Sequence, residues 1–250
     1  MDIGRHDLGR LSPTANFAVL RYGPIRPPEQ ATRGEGVGCV KSRSPIDVVV
    51  REIGRILAEY GFSAAGREFR LRSPLGDWLV VDVQTSDASN RSRRLFYVNA
   101  GFLMSAKWDW SRSAIPGKRE LPSVADCLWS TRFDPRFGDT SMRWMVDSEA
   151  TLTAVVDELE HVLHREIPVL VRLLDRCHLH CIADQEVGLG YATWQVKAWL
   201  LAEAGRAGEL ELLLQPLEDD DQDVEDEDDS VFQAMRRLAS SRGEKGAGER

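Results

Sequence analysis

Between residues 46 and 60 apolar side chains recur at helical spacing: Ile46, Val49, Val50, Ile53, Leu57 and Tyr60 mark one face. Ser44, Pro45 and Asp47 supply an N-cap, a proline at the first helical position and an acidic partner, and Gly61 stands where a helix ends in a left-handed conformation. The period then changes. In REFRLR (67–72), Phe69 and Leu71 alternate with charged residues, the signature of a strand with one buried face. SPLGD (73–77) is a turn by composition, and DWLVVDVQTS (77–86) and RLFYVNAGFLM (94–104) follow as two further strands. The short connections between them favour antiparallel pairing, since a parallel crossover needs a dozen or more residues.

Residues 105–140 carry no sustained period and read as a long irregular stretch with a short helix near 124–131. SMRWMVD (141–147) offers a fourth, short strand, and helices are predicted over 148–166, 168–183 and 193–204, with a short amphipathic one over 230–241. The pattern predicts an α+β fold: an antiparallel sheet of three to four strands packed against the N-terminal helix and C-terminal helices, with disordered termini. The N-terminal helix and the C-terminal helical pair should share one face of the sheet, leaving the other to the long loop. Its division is a leader over 1–43, a single domain over 44–210, and an acidic linker with a flexible tail and short helix over 211–250.

Charge changes the reading of the tail. The net charge of −8 is concentrated in EDDDQDVEDEDD (218–229), which holds 10 acidic residues and no basic one, so the remainder of the chain is near neutral. That argues against a nucleic-acid surface on the folded part, while an acidic run is a solvated segment that can attract a basic protein partner. The leader mixes Arg, Gly and Pro without periodicity, and its GEGVG (34–38) does not match the dinucleotide-binding spacing. Gly34-Glu35-Gly36 can be encoded by a ribosome-site-like purine tract. The expectation is a natural start near Val40, which an intact-mass measurement of the native protein checks. The N-terminus shows no signal-peptide pattern and no run approaches the ~18 apolar residues of a membrane helix. With only four cysteines (Cys39, Cys127, Cys177, Cys181), the expectation is a reduced cytoplasmic protein without membrane contact; the sequence leaves its oligomeric state open.

Candidate chemistry begins with RCHLHC (176–181) and the upstream His161 and His164. On one continuous helix at ~100° per residue, Cys177 and Cys181 fall within about 60° of Leu170 on the apolar stripe. His178 and His180 fall on opposite flanks of it, about 160° apart. The cysteines are therefore expected to be buried and structural, and no metal or cofactor is expected. A zinc reading would combine them with His178 and Cys127, at spacings unlike common zinc sites. No nucleophile elbow, P-loop or H-E-x-x-H pattern occurs, and the carboxylates Asp157, Glu158 and Glu160 lie largely on a solvated helix face. No catalytic residue is assigned.

Polar residues inside apolar strands are the better candidates. Asp82, Gln84 and Ser86 share a face by alternation, and Asn99 interrupts FYVNAGF with Gly101 beside it on the same face, leaving room. If Gln84, Asn99, Arg132 and Trp144 converge, they form a concave ligand- or partner-binding site with an aromatic wall. The competing reading is a buried structural network, with Arg132 paired to an acid such as Asp82. Trp108 and Trp110, in the irregular stretch, are either an exposed partner anchor or a loop folded back on the sheet.

A run of ordered landmarks resembles a bacterial family of unknown function, the DUF4304 domain: LAEYGF (57–62), GREFRL (66–71), VDVQTS (81–86), FYVNAGF (96–102), DCLWSTRF (126–133), RWMVDS (143–148) and REIPVL (165–170). The resemblance implies a small α+β domain over about half of the chain and brings no activity, cofactor or catalytic residue; the His/Cys cluster is not among its landmarks. The expected function is a non-catalytic binding or protein-interaction module of the immunity kind, favoured by the acidic run. The alternative is a small-ligand binder or enzyme using the Gln84/Asn99/Arg132 face.

Overall fold

The computed structural model describes residues 44–115, 117–135, 142–185, 188–220 and 227–248. The predicted leader and the centre of the acidic run lie outside them. The first helix, α1 (Pro45–Glu59), buries Ile46, Val49, Ile53, Ile56 and Leu57, and Gly61 at φ 86° ends it where the sequence places the stop. Strands β1 (Ser63–Ala65), β2 (Glu68–Arg72), β3 (Trp78–Thr85) and β4 (Arg94–Leu103) then form an antiparallel meander. β5 (Trp129–Arg132) pairs with the second half of β4, and β6 (Trp144–Val146) pairs with its first half.

The fold is α+β, with a sheet of six strands rather than three or four. The two strands the pattern misses are short. β1 is exposed at all three positions and has no alternation to read. β5 lies where a short helix is predicted; only a 3-10 turn (Val124–Asp126) forms there, and the chain then pairs with the open edge of β4. Such strands are induced by a partner's unpaired N–H and C=O groups rather than by their own periodicity.

The two faces of the sheet differ. Phe69, Leu79, Val81, Val83, Phe96, Val98 and Phe102 point to one face and are buried. They form a single core with α1 and with Leu159, Val162, Leu163 and Ile167 of the long helix α3 (Glu149–Val171). Glu68, Arg70, Asp82, Gln84, Tyr97, Asn99 and Arg132 occupy the other face by register. Part of that face lies under residues 118–128, the segment predicted to cover it: Arg70 Nε donates to the Pro122 carbonyl at 2.6 Å.

Four helical expectations need correction. Within the supposedly irregular stretch lies α2 (Ser105–Ala114), whose first amide is capped by Asp77, with Ser105 N donating to Asp77 Oδ1 at 2.8 Å. A cap supplied from a turn 28 residues upstream leaves no local start signal. Next, α3 does not stop before Pro168 but runs through it to Val171. Pro168 lies on the exposed side, so its missing N–H costs a hydrogen bond only there, while Ile167 and Leu170 hold the inner side. Third, the helix carrying the His/Cys cluster is separate. After a 3-10 turn, Asp175 takes an extended conformation and caps α4 (Arg176–Asp184) through Cys177 N, at 2.9 Å from Asp175 Oδ1. This break resets the helical phase, so Leu179, Ile182 and Ala183 turn inward. Cys177 and Cys181 are exposed, which overturns their placement on the buried stripe.

Last, α5 (Thr193–Glu203) forms where a helix is predicted and is apolar almost all round, but it is covered by neighbouring helices that include α6 (Ala207–Asp220), for which no helix was predicted. The segment read as a flexible tail with a short helix contains α7 (Glu227–Gly248), which buries Phe232, Met235 and Ala239 against the same unit. Gly205, at φ 69°, makes this docking possible: a Cβ there would come 2.9 Å from the Gly243 amide nitrogen.

Candidate functional site

Register alone brings Asp82, Asn99 and Arg132 into one row, because Asp82 pairs with Asn99 across β3–β4 and Asn99 pairs with Arg132 across β4–β5. Asn99 is the hub. Its Nδ2 donates to Asp82 Oδ1 at 2.7 Å and lies 3.4 Å from Gln84 Oε1, while its Oδ1 accepts from Arg132 Nε at 3.0 Å. The amide orientation follows from its neighbours: the NH2 group faces a carboxylate and the oxygen faces a guanidinium. Asn99 is 6% exposed, whereas Asp82, Gln84, Tyr97 and Arg132 remain partly open to solvent.

Arg132 is fixed from a second direction by the Tyr97 ring, whose centroid lies 4.2 Å from its guanidinium carbon. Tyr97 was missed in the sequence, although the alternation in FYVNAGF already places it on the face of Asn99. Burial pushes the Asp82 carboxyl above its ordinary range and Glu68 adds to this, while the Asn99 hydrogen bond and Arg132 oppose it. Deeper on the same face, Arg70 bonds Glu68 at 2.7 Å, and Glu68 also meets Arg119 at 3.4 Å.

The room expected beside Gly101 is taken. A Cβ on Gly101 would lie 2.6 Å from Cys127 Sγ, so the thiol packs directly against the glycine backbone. Burial there, reinforced by Asp126 and Asp82 and opposed by Arg70, pushes the Cys127 thiol well above its ordinary pKa. Asp126 moves the other way. Burial opposes its ionisation, but hydrogen bonds from Ser123 N at 2.8 Å and Ser123 Oγ at 2.7 Å, with Lys118 at 2.9 Å, outweigh it and hold the carboxyl below its ordinary range.

Of the candidate residues, Gln84, Asn99 and Arg132 come together and Trp144 does not. Trp144 is buried on the opposite, apolar face, stacked on Phe96 at 6.4 Å with its indole N–H donating to the Phe133 carbonyl at 2.8 Å. Its parity was not readable, because a three-residue strand has no internal alternation to fix. Trp108 is buried on α2, so it is not an exposed anchor, and Trp110 is half-buried with its ring 6.4 Å from that of Trp199. The histidines also disperse: His164 Nδ1 lies 2.7 Å from the Tyr60 hydroxyl on the α1–α3 surface, and His178 lies 3.2 Å from Arg172. Among the described residues no group of three or more metal-ligating side chains forms.

These observations define an α+β domain whose antiparallel sheet is sealed by helices on one face and carries an ordered, half-exposed polar network on the other. Residues 53–174 are similar to a known family: they match the family model described as "Domain of unknown function (DUF4304)". The matched segment contains the sheet from β1 to β6, the whole of α2 and α3, and the C-terminal part of α1 from Ile53 onward. Comparisons with curated proteins and with solved structures give no match.

Proposed function

We propose that this is a non-catalytic interaction module of a bacterial cytoplasm, immunity-like in action, that docks a basic protein partner. The docking centre is the patch of Tyr97, Arg132, Gln84 and Asp82, and the acidic run over 218–229 guides the encounter. One observation carries the reading: Arg132 is held between the Tyr97 ring and the buried Asn99 amide while still partly exposed. Arginine and tyrosine are the side chains most often found at binding hot spots. Ordering a long side chain on binding costs about 0.5–1.5 kcal/mol, and here that cost is already met in the free protein.

The chemistry of the patch is that of recognition. It offers a carboxylate, two amides, a phenol and a guanidinium, and Cys127 fills the room a small ligand would need beside Gly101. Ten acidic residues in a twelve-residue run supply long-range attraction for a cationic surface, acting chiefly on the association rate. The three described cysteines are free thiols, in keeping with a reducing compartment.

The test is a quantitative pull-down from the native host, using the full chain, a Tyr97→Ala/Arg132→Ala variant, and a variant with the acidic run changed to Asn and Gln. The expected result is a basic partner retained by the wild type. The patch variant should hold it at least about tenfold more weakly, a loss of about 1.4 kcal/mol. The acidic-run variant should lose mainly association rate and salt dependence. A partner bound equally by the correctly folded patch variant would refute the reading.

A further inference from the structure

Away from the sheet, α2, α5 and α7 line an open cleft of about 620 Å³, within the range of small-molecule sites. Trp110 comes from α2, Trp199 and Glu203 from α5, and Arg237, Leu238 and Arg242 from α7. Only α2 lies inside the segment matched by the family model. The helix carrying the two arginines is set in place by the close approach of Gly243 to Gly205, so this wall belongs to the packed structure.

Three features indicate what the cleft takes. First, the aromatic lining is fixed: Trp199 is 1% exposed, and its ring lies 6.4 Å from that of Trp110 at 44°. Second, the Trp199 indole N–H is buried without an acceptor, an unmet donor in a residue of the lining. Third, the charge on the α7 wall is not consumed internally. Glu203 is engaged by Arg176, with Nη1 at 2.6 Å and Nη2 at 3.2 Å. Among the described residues Arg242 makes no hydrogen bond or ion pair and acts on Glu203 only through its field; Arg237 donates only to the Gln233 carbonyl, at 3.2 Å. Asp109 on α2 is the one remaining acid in the lining.

We propose that this cleft binds a small organic anion with a planar apolar body, whose oxyanion group is taken by Arg237 and Arg242 and whose ring lies along Trp110, which the buried Trp199 backs. A planar guanidinium pair matches the two oxygens of a carboxylate or a similar oxyanion, and the apolar lining favours the ring. The site is separate from the polar face of the sheet, so it stands or falls independently of the partner-binding reading.

The experiment titrates the full-length protein with 2-naphthoate, 2-naphthamide and 2-naphthylmethylammonium, three probes of one shape and different charge, by calorimetry and ligand-observed NMR. 2-Naphthoate should bind at least about tenfold more tightly than the neutral amide. That preference should vanish in Arg237→Gln/Arg242→Gln and survive in Asp109→Asn. Both arginines are exposed, and the variants' melting curves check that the fold is kept. Three outcomes overturn the proposal: equal binding of carboxylate and amide, no binding of 2-naphthoate at about 10 mM, or undiminished naphthoate binding in the double arginine variant.

Discussion

Removing the hub of the polar network is the most informative perturbation. Asn99→Ala deletes the donor to Asp82 at 2.7 Å and the acceptor for Arg132 at 3.0 Å, and both lost partners are ionisable. Hydrogen bonds to charged groups contribute about 1.5–3 kcal/mol each. Asp82 and Arg132 are partly open to solvent and can recruit water, so the combined loss falls to about 2–4 kcal/mol. In a packed unit of this size each kcal/mol shifts the melting temperature by about 2–4 °C, which places the expected drop at about 4–16 °C. Urea unfolding followed by circular dichroism measures the free energy directly, and a double-mutant cycle with Arg132→Ala should give a coupling of at least about 1 kcal/mol. A cost under about 1 kcal/mol, or simple additivity with Arg132→Ala, would show that Asn99 does not hold this network together.

Other perturbations probe the surroundings of the site. Gly101→Ala drives a Cβ to 2.6 Å from Cys127 Sγ, 2.8 Å from Cys127 Cβ and 3.1 Å from the Trp129 carbonyl. It should cost about 1–3 kcal/mol in urea unfolding, and adding Cys127→Ala should recover only part because the Cβ clash remains. In a Cys39→Ser background, maleimide followed by peptide mapping should label Cys177 and Cys181 in the native protein, and Cys127 only after unfolding; rapid native labelling of Cys127 would contradict its packing on Gly101. The folded Asp82 carboxyl takes up its proton at higher pH than the unfolded one, so wild-type stability falls as pH rises from the ordinary carboxylate range through the raised folded value. Asp82→Asn should therefore gain on the wild type over that window, and the opposite slope in unfolding free energy would refute the assignment. Asp126 has the reverse sign: Asp126→Asn should lose stability at pH 7, and that deficit should fade as pH falls through the lowered folded value.

What the sequence determined by itself is what local periodicity encodes. The amphipathic stripe and the terminal signals define α1, and the alternating side-chain direction of any strand fixes which residues of β2, β3 and β4 can share a face. Asp82 and Gln84 were therefore legible as sharing one face of their strand, and Tyr97 and Asn99 as sharing one face of theirs; the β3–β4 register is what makes the two pairs neighbours. Tertiary structure decided everything that depends on a partner elsewhere in the chain. β1 and β5 exist because an edge was open to them, and α2 starts where it does because Asp77 caps it from a distant turn. The histidine and cysteine cluster was decided by a short break in the helix, the 3-10 turn Arg172–Leu174 and the extended Asp175. A helix run unbroken from Pro168 to Ala183 would bury Cys177 and Cys181, but the extended backbone of Asp175 shifts the phase and turns both outward. Trp144 faces away from the site, and α7 is locked to the core at Gly205 and Gly243, for a shared reason. Periodicity specifies a face only within an element long enough to display it, and the choice of partner is made by packing between elements.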